Sequence, residues 1–198
     1  MDRAALLPGL IIAAALAAWP AAPARAEVPA AGPYRTEEDL PPNFLVRALT
    51  GEYVLLRADA RVTGRMEGHN RGKPEKDKLR VKILAGKPAL IDLWRTDSDP
   101  SKSALAANQR LYANLKDRGL QALGIALDTQ EAAAISQAAP GVTYLLAGDD
   151  GSVANLYAVA SVPMTFLVDK QGKIVFSSIG TRSQDQETAL RAAVEKAL

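Results

Sequence analysis

Two hydroxyls three residues apart, Ser98 and Ser101, follow an apolar run that carries a single carboxylate, Asp92. A serine oxygen becomes a nucleophile only when a neighbouring base takes its proton. The one histidine, His69, lies far upstream in a charged segment, and Lys102 is the nearest amine to Ser98 in the chain. Neither forms a recognisable set of nucleophile, base and orienting acid, so a hydrolase centred on Ser98 has no support. Thiolate attack and disulfide exchange are excluded for these 198 residues, because none is cysteine. Metal chemistry is as poorly provided for: a lone histidine makes no zinc or copper set, and Asp149-Asp150-Gly151 lacks the further oxygen ligands of a calcium loop. That tripeptide reads as a turn, and no metal or cofactor is expected.

The elements that must position these groups follow from periodicity. Pro88 to Trp94 is a continuous apolar run with Asp92 as its only charge, as in a central strand buried on both faces. Burial penalises the ionised carboxylate and should raise its pKa, and Ser101 or water is the expected partner. Leu105, Leu111, Tyr112 and Leu115 recur at helical spacing within Ser101 to Arg118, and Gly119 marks the stop. Leu120 to Leu127 predicts a second strand, Thr129 to Ala139 a helix, Val142 to Leu146 a strand, and Ser152 to Tyr157 a short helix opened by a serine cap. Met164 to Val168 and Ile174 to Ser178 flank a polar loop containing Gly172 and predict an antiparallel hairpin. Gln184 to Leu198 closes the chain as an amphipathic helix with Leu190, Val194 and Leu198 on one face. Nearer the N-terminus, Phe44 to Leu49 and Tyr53 to Leu56 surround Thr50-Gly51-Glu52 as a β-hairpin. Between Arg57 and Lys82, nine basic residues stand against four acidic ones, a balance of +5 with few large apolar side chains. That stretch reads as a basic, exposed insertion centred on residues 59–80. The whole is an α/β domain, a mixed sheet flanked by helices.

Two stretches narrow the class. Asp92-Leu93-Trp94-Arg95-Thr96-Asp97-Ser98-Asp99-Pro100-Ser101 resembles the thioredoxin signature, in which a strand ending Asp-Phe-Trp runs into Cys-x-Pro-Cys at a helix start. Further on, Ser161-Val162-Pro163-Met164-Thr165-Phe166 resembles the Val-Pro-Thr-Phe segment whose proline is cis and faces that active site. With Asn43-Phe44, Leu49-Thr50-Gly51 and Ala85-Gly86-Lys87-Pro88, the resemblance extends over residues 43–198 and is closest to the periplasmic TlpA/ResA-like, or redoxin, proteins. It implies a thioredoxin-like fold with an N-terminal β-hairpin. Ser98 and Ser101 then occupy the two cysteine positions, Asp92 matches the buried acid that serves the second cysteine, and Pro163 is the cis-proline. It also implies a groove that binds an extended peptide by its backbone, involving Trp94, Ser98, Pro100, Val162 and Pro163. The departures are the two serines, the length of the basic stretch, and Asp97 and Asp99, acids that would disfavour a neighbouring thiolate.

The N-terminus points to export. Met1-Asp2-Arg3 precedes an apolar stretch from Ala4 to Trp19, and Ala24-Arg25-Ala26 offers the small-x-small pattern of signal peptidase cleavage, so residues 1–26 are expected to be a signal peptide. Residues 27–42, rich in Ala, Pro and Glu, are expected to be a linker, and residues 43–198 the domain. After cleavage the charge is +1, which argues against nucleic acid, and no further segment is long and apolar enough to span a membrane. The expected location is the periplasm or exterior. Two functions fit: a peptide- or partner-binding protein of the cell envelope without redox activity, or a thiol-disulfide oxidoreductase whose cysteines have been replaced by serine.

Overall fold

In the computed structural model, residues 40–198 are described, so the expected signal peptide and all but the end of the expected linker lie outside the described residues. At the centre of the sheet is β4 (Ala89–Trp94), buried at every position as its unbroken apolar run requires. It pairs parallel with β5 (Gln121–Ala126) and antiparallel with β7 (Met164–Val168), which turns back as β8 (Ile174–Ile179). On the other side of β5 come β6 (Leu145–Gly148), the hairpin of β1 (Leu45–Ala48) and β2 (Tyr53–Leu55), and β3 (Val81–Ile83). The eight strands run in the order β3-β2-β1-β6-β5-β4-β7-β8.

The period of two along β4 sorts its side chains between two cores. Ala89, Ile91 and Leu93 join Phe44, Leu56, Ile125, Tyr157 and Phe166 on one face. Leu90 and Trp94 join Leu105, Leu146, Leu190 and Val194 on the other, under α2 (Asp99–Leu115) and α5 (Gln184–Ala197). Asp92 belongs by alternation to this second face, so its partners must come from the neighbouring strands and the elements that cover that face. α3 (Ala132–Ala138) and the short α4 (Ser152–Leu156) complete the layers.

One local expectation is corrected. Ser152 does not cap α4: it is already the first helical residue, and Gly151 stands at the cap with φ +94°. The capping acceptor is Asp149, whose carboxylate takes the N–H groups of Val153 and Ala154, both at 2.9 Å. The stretch read as an insertion contains α1 (Ala60–Asn70), opened by Asp59, and delivers β3 parallel to β2. Parallel neighbours require a crossover, and the basic segment supplies one. Three glycines, at 64, 68 and 72, and the scarcity of apolar residues mask the helix in the sequence.

Gly148 shows how tightly the β6 end is packed. A Cβ there would lie 2.5 Å from both Gln130 Cα and Thr129 O, so the backbone after β5 crosses directly over this residue. Gly148→Ala should therefore destabilise the domain by about 2 kcal/mol, seen as a lower urea midpoint with unchanged slope. A midpoint equal to that of the parent protein would contradict this close approach.

Candidate functional site

Where β4 ends, the chain must turn into α2, and its residues suit that turn. Ser98 is the N-cap: its hydroxyl oxygen accepts the Ser101 N–H at 3.3 Å, and its carbonyl accepts the Lys102 N–H at 3.1 Å. Pro100 sits in the first turn, where its missing N–H costs nothing, and Asp99 complements the positive end of the helix dipole. The loop before Ser98 is held from two sides. The Thr96 N–H and hydroxyl donate to Asp128, just beyond β5, at 3.0 and 2.6 Å. Arg95 grips Asp97 with two bonds of 2.9 and 2.8 Å. Hydrogen bonding to Arg95 holds the exposed Asp97 carboxyl below its ordinary range. Asp97 and Asp99 are thus partnered, by Arg95 and Lys102, rather than bare acids facing Ser98.

The expected site residues separate into surface and support. Ser98 and Val162 are half-buried and Pro100 is exposed, so these can be touched from solvent. Trp94 is fully buried in the second core, with Leu105 and Leu146 beside it, and does not line a binding surface as expected. Its indole N–H has no partner among the described residues. The fit around it is close enough that a Cβ on Gly124 would come 3.3 Å from the indole nitrogen and 2.8 Å from Leu146. Ser101 is also buried, and its hydroxyl accepts the Arg95 N–H at 3.4 Å, not a bond with Asp92.

Asp92 has a different and fuller set of partners. Asn108 of α2 and Thr165 of β7 donate to Oδ1 at 2.6 and 2.8 Å, and the Tyr144 hydroxyl donates to Oδ2 at 3.1 Å. Behind them lies Arg182, whose side chain is only 1% exposed. Its guanidinium donates to Thr165 Oγ1 at 2.8 Å, to Asn108 Oδ1 at 2.6 Å and to Glu187 Oε1 at 2.9 Å. Thr165 and Asn108 therefore each bridge the cation to the carboxylate. Burial pushes the Asp92 carboxyl above its ordinary value, opposed by hydrogen bonds from Asn108 and Thr165, the charge of Arg182 and the bond from Tyr144. Burial, followed by the nearby Asp92 charge, pushes the Tyr144 phenol well above its own, which keeps it a donor. Arg182 and Tyr144 were not anticipated; neither sits in a local motif, and only the fold brings them to β4.

The Val162–Pro163 peptide bond is cis. Register Leu93↔Met164 places it beside the end of β4, next to the start of the loop that leads to Ser98. The Pro163 carbonyl accepts the Gly180 N–H at 2.7 Å and is therefore occupied. The ladder to β8 begins at Met164, and among the described residues no hydrogen bond takes the backbone of Val162. The exposed features of this corner are a capped helix start and an unpaired peptide group on the neighbouring strand. Among the described residues, no cluster of three or more His, Asp or Glu side chains is placed to hold a metal ion.

A mixed sheet with a helix leaving its central strand and a cis-proline on the adjacent antiparallel strand defines a thioredoxin-like domain. The AhpC/TSA family matches residues 68–177, more than half of the chain, and the protein belongs to that family. It is similar to the thiol-disulfide oxidoreductases ResA of Bacillus thuringiensis (strain Al Hakam) and Bacillus anthracis, each 28% identical over 116 residues, covering 57% of this chain and 66% of the relative. The match thus spans slightly less than two thirds of those relatives' length. Among solved structures, the thioredoxin domain of a thiol-disulfide oxidoreductase from Bacteroides vulgatus superposes with a TM-score of 0.58 at 20% identity, covering 81% of this chain and 99% of that one. StoA from Bacillus subtilis gives 0.53 at 17% identity, covering 77% and 96%. These structural likenesses concern the fold.

Two substitutions test the site's physics. Ser98→Ala should cost about 1 kcal/mol in urea denaturation while Ser98→Asn stays within a few tenths of the parent, since a cap needs an acceptor and not a nucleophile. Equal losses in both would remove the capping role. For Asp92, the folded-state pKa is raised, so the native state favours the protonated acid. The stability this group contributes is present below its unfolded pKa of about 3.9 and is lost as pH rises through the folded value. Asp92→Asn should therefore gain stability relative to the parent protein as the pH rises above about 4, measured by denaturation at each pH. Parallel stability curves would show that the carboxyl is not perturbed in that direction.

Proposed function

We propose that this protein is an exported, thiol-free member of its family that binds an extended segment of a partner without redox turnover. The observation that carries the reading is the Ser98 hydroxyl, spent on capping α2, together with the unpaired backbone of Val162 near the start of the loop that leads to it. An extended chain laid across Ser98 and Pro100 would find hydrogen-bonding groups on Val162, with Trp94, Ser101 and Pro163 buried beneath as support. Electron exchange has no agent here, because a hydroxyl is a far weaker acid than a thiol and forms no S–S bond. Export is supported by the features of residues 1–26 and agrees with a chain whose sulfur chemistry is confined to methionine. The alternative, an oxidoreductase disabled by two serines, draws on the same Asp92 and Pro163. It differs in that cysteine at both positions would restore turnover.

With dithiothreitol as electron source, the mature protein should not accelerate insulin reduction beyond the reagent's own rate; acceleration that scales with protein concentration would overturn the non-redox reading. Binding is tested with Ser98→Cys in an oxidising extract at mildly alkaline pH, where the lone thiol can form a mixed disulfide that nothing resolves. Ala192→Cys, on the exposed side of α5, reports nonspecific capture and leaves the Arg182–Glu187 bond intact. A partner enriched on Ser98→Cys and absent from Ala192→Cys is the expected result. The same set of captured proteins on both variants would count against a binding corner.

A further inference from the structure

A second surface lies at the far edge of the sheet from β8. β3 is the terminal strand in the sheet order, paired with β2 on one side only. The phase of its bonding is fixed by two contacts: the Tyr53 N–H donates to the Arg80 carbonyl at 2.8 Å, and the Leu84 N–H donates to the Leu55 carbonyl at 2.9 Å. Bonds to β2 thus fall on Arg80, Lys82 and Leu84, and the alternation of a strand turns the N–H and C=O groups of Val81 and Ile83 outward. Both ends of this window are closed by side chains. Asn70, the last residue of α1, binds the Leu79 N–H at 2.7 Å and the Leu79 carbonyl at 2.8 Å. The Gln121 amide donates to the Leu84 carbonyl at 3.0 Å.

The side chains specify what would fit. Arg80 and Lys82 lie on one face of the strand, and Val81 and Ile83 lie on the other, with Ile83 36% exposed. From residue 71 to residue 82, six basic residues stand against Glu75 and Asp77, and Glu75 is already bonded to Lys78. A second copy of this chain is disfavoured, because pairing two β3 edges would bring Arg80 and Lys82 close to their own counterparts. Anionic headgroup oxygens would meet the charge and could accept from the outward amides but offer no donors to the outward carbonyls, whereas an added peptide strand satisfies both.

We propose that the β3 edge accepts an extended acidic segment of a partner protein as an added strand. Its residues would alternate, carboxylates facing Arg80 and Lys82 and apolar side chains facing Val81 and Ile83. The added ladder supplies affinity and the charges select the partner. The same charges keep neutral edges and like copies away, as edge strands require. This surface is separate from the Ser98 corner: β2, β1, β6 and β5 lie between β3 and β4.

The experiment is an NMR titration of the isotope-labelled mature protein with an end-capped, alternating Glu-Val hexapeptide at low salt, with the Gln-Val hexapeptide as comparison. Saturable shifts should centre on the amides of Val81 and Ile83, and the Gln-Val peptide should bind more weakly. The Arg80→Glu, Lys82→Glu double variant should weaken binding about tenfold or more, and added salt should act in the same direction. Val81→Pro removes an outward N–H without touching the bonds to β2, and should weaken binding while the rest of the spectrum shows an intact fold. No shift at Val81 and Ile83, equal affinity for both peptides, unchanged binding by the charge-reversed variant, or shifts confined to Val162 and Ser98 would each overturn the proposal. None of these results bears on disulfide trapping at Ser98, so the two readings fail separately.

Discussion

A carboxylate in the middle of a fully buried strand must be satisfied from every direction, and Asp92 imposes that demand on the whole helical side of the sheet. Its oxygens collect donors from α2, from β7 and from the segment before β6. Arg182, between β8 and α5, completes the charge balance through Thr165 and Asn108. Elements distant in sequence are thus tied to β4 by polar bonds of fixed length, in a layer otherwise held by non-directional packing of Leu90, Leu105, Leu190 and Val194. Low polarity strengthens each bond and raises the cost of losing one, so removal of a single member would orphan its neighbours. This network holds the middle of α2 against β4, and the Ser98 corner lies at the start of that helix.

Above that network the chemistry is local. At the start of α2 the backbone offers unsatisfied N–H groups, which a thiolate or a hydroxyl oxygen can meet in different ways. In the thiol relatives the positive end of the helix can favour an ionised sulfur. Here the oxygen of Ser98 is neutral and occupied as an acceptor, and the adjoining charges are closed in the pairs Arg95 with Asp97 and Asp99 with Lys102. The corner is polar, and its described charges and cap are internally partnered. What it retains from the architecture is shape and an open peptide group at Val162.

Much of the frame is legible in the sequence because its signals are short-range. The unbroken apolar run at β4, the Gly-centred turns of the two hairpins and the helix stop at Gly119 each depend on neighbouring residues alone. The two motifs around Ser98 and Pro163 locate the corner for the same reason. The misreadings involve competition decided by tertiary structure. The motif offers Ser101 as the partner of Asp92, but α2 turns Asn108 toward the acid and leaves the Ser101 hydroxyl to the Arg95 amide. Trp94 looks like a surface aromatic in the motif, yet its place in the alternation of β4 puts it under α2. The crossover through α1 was hidden because its residues satisfy few core contacts, Met66 being its one buried residue. Arg182 could be found only by folding, since nothing near Gly180 marks it as the counter-charge of a residue ninety positions earlier.

The helix cap at Ser98 also governs time. In a dithiol protein, capture and release of a client can be separate chemical events, each driven by the redox poise of its surroundings. For a partner bound as proposed, a hydroxyl at that position would leave only a reversible equilibrium, with residence set by a dissociation rate and occupancy by local concentration. Such a domain would respond to how much partner is present and be indifferent to the oxidants around it.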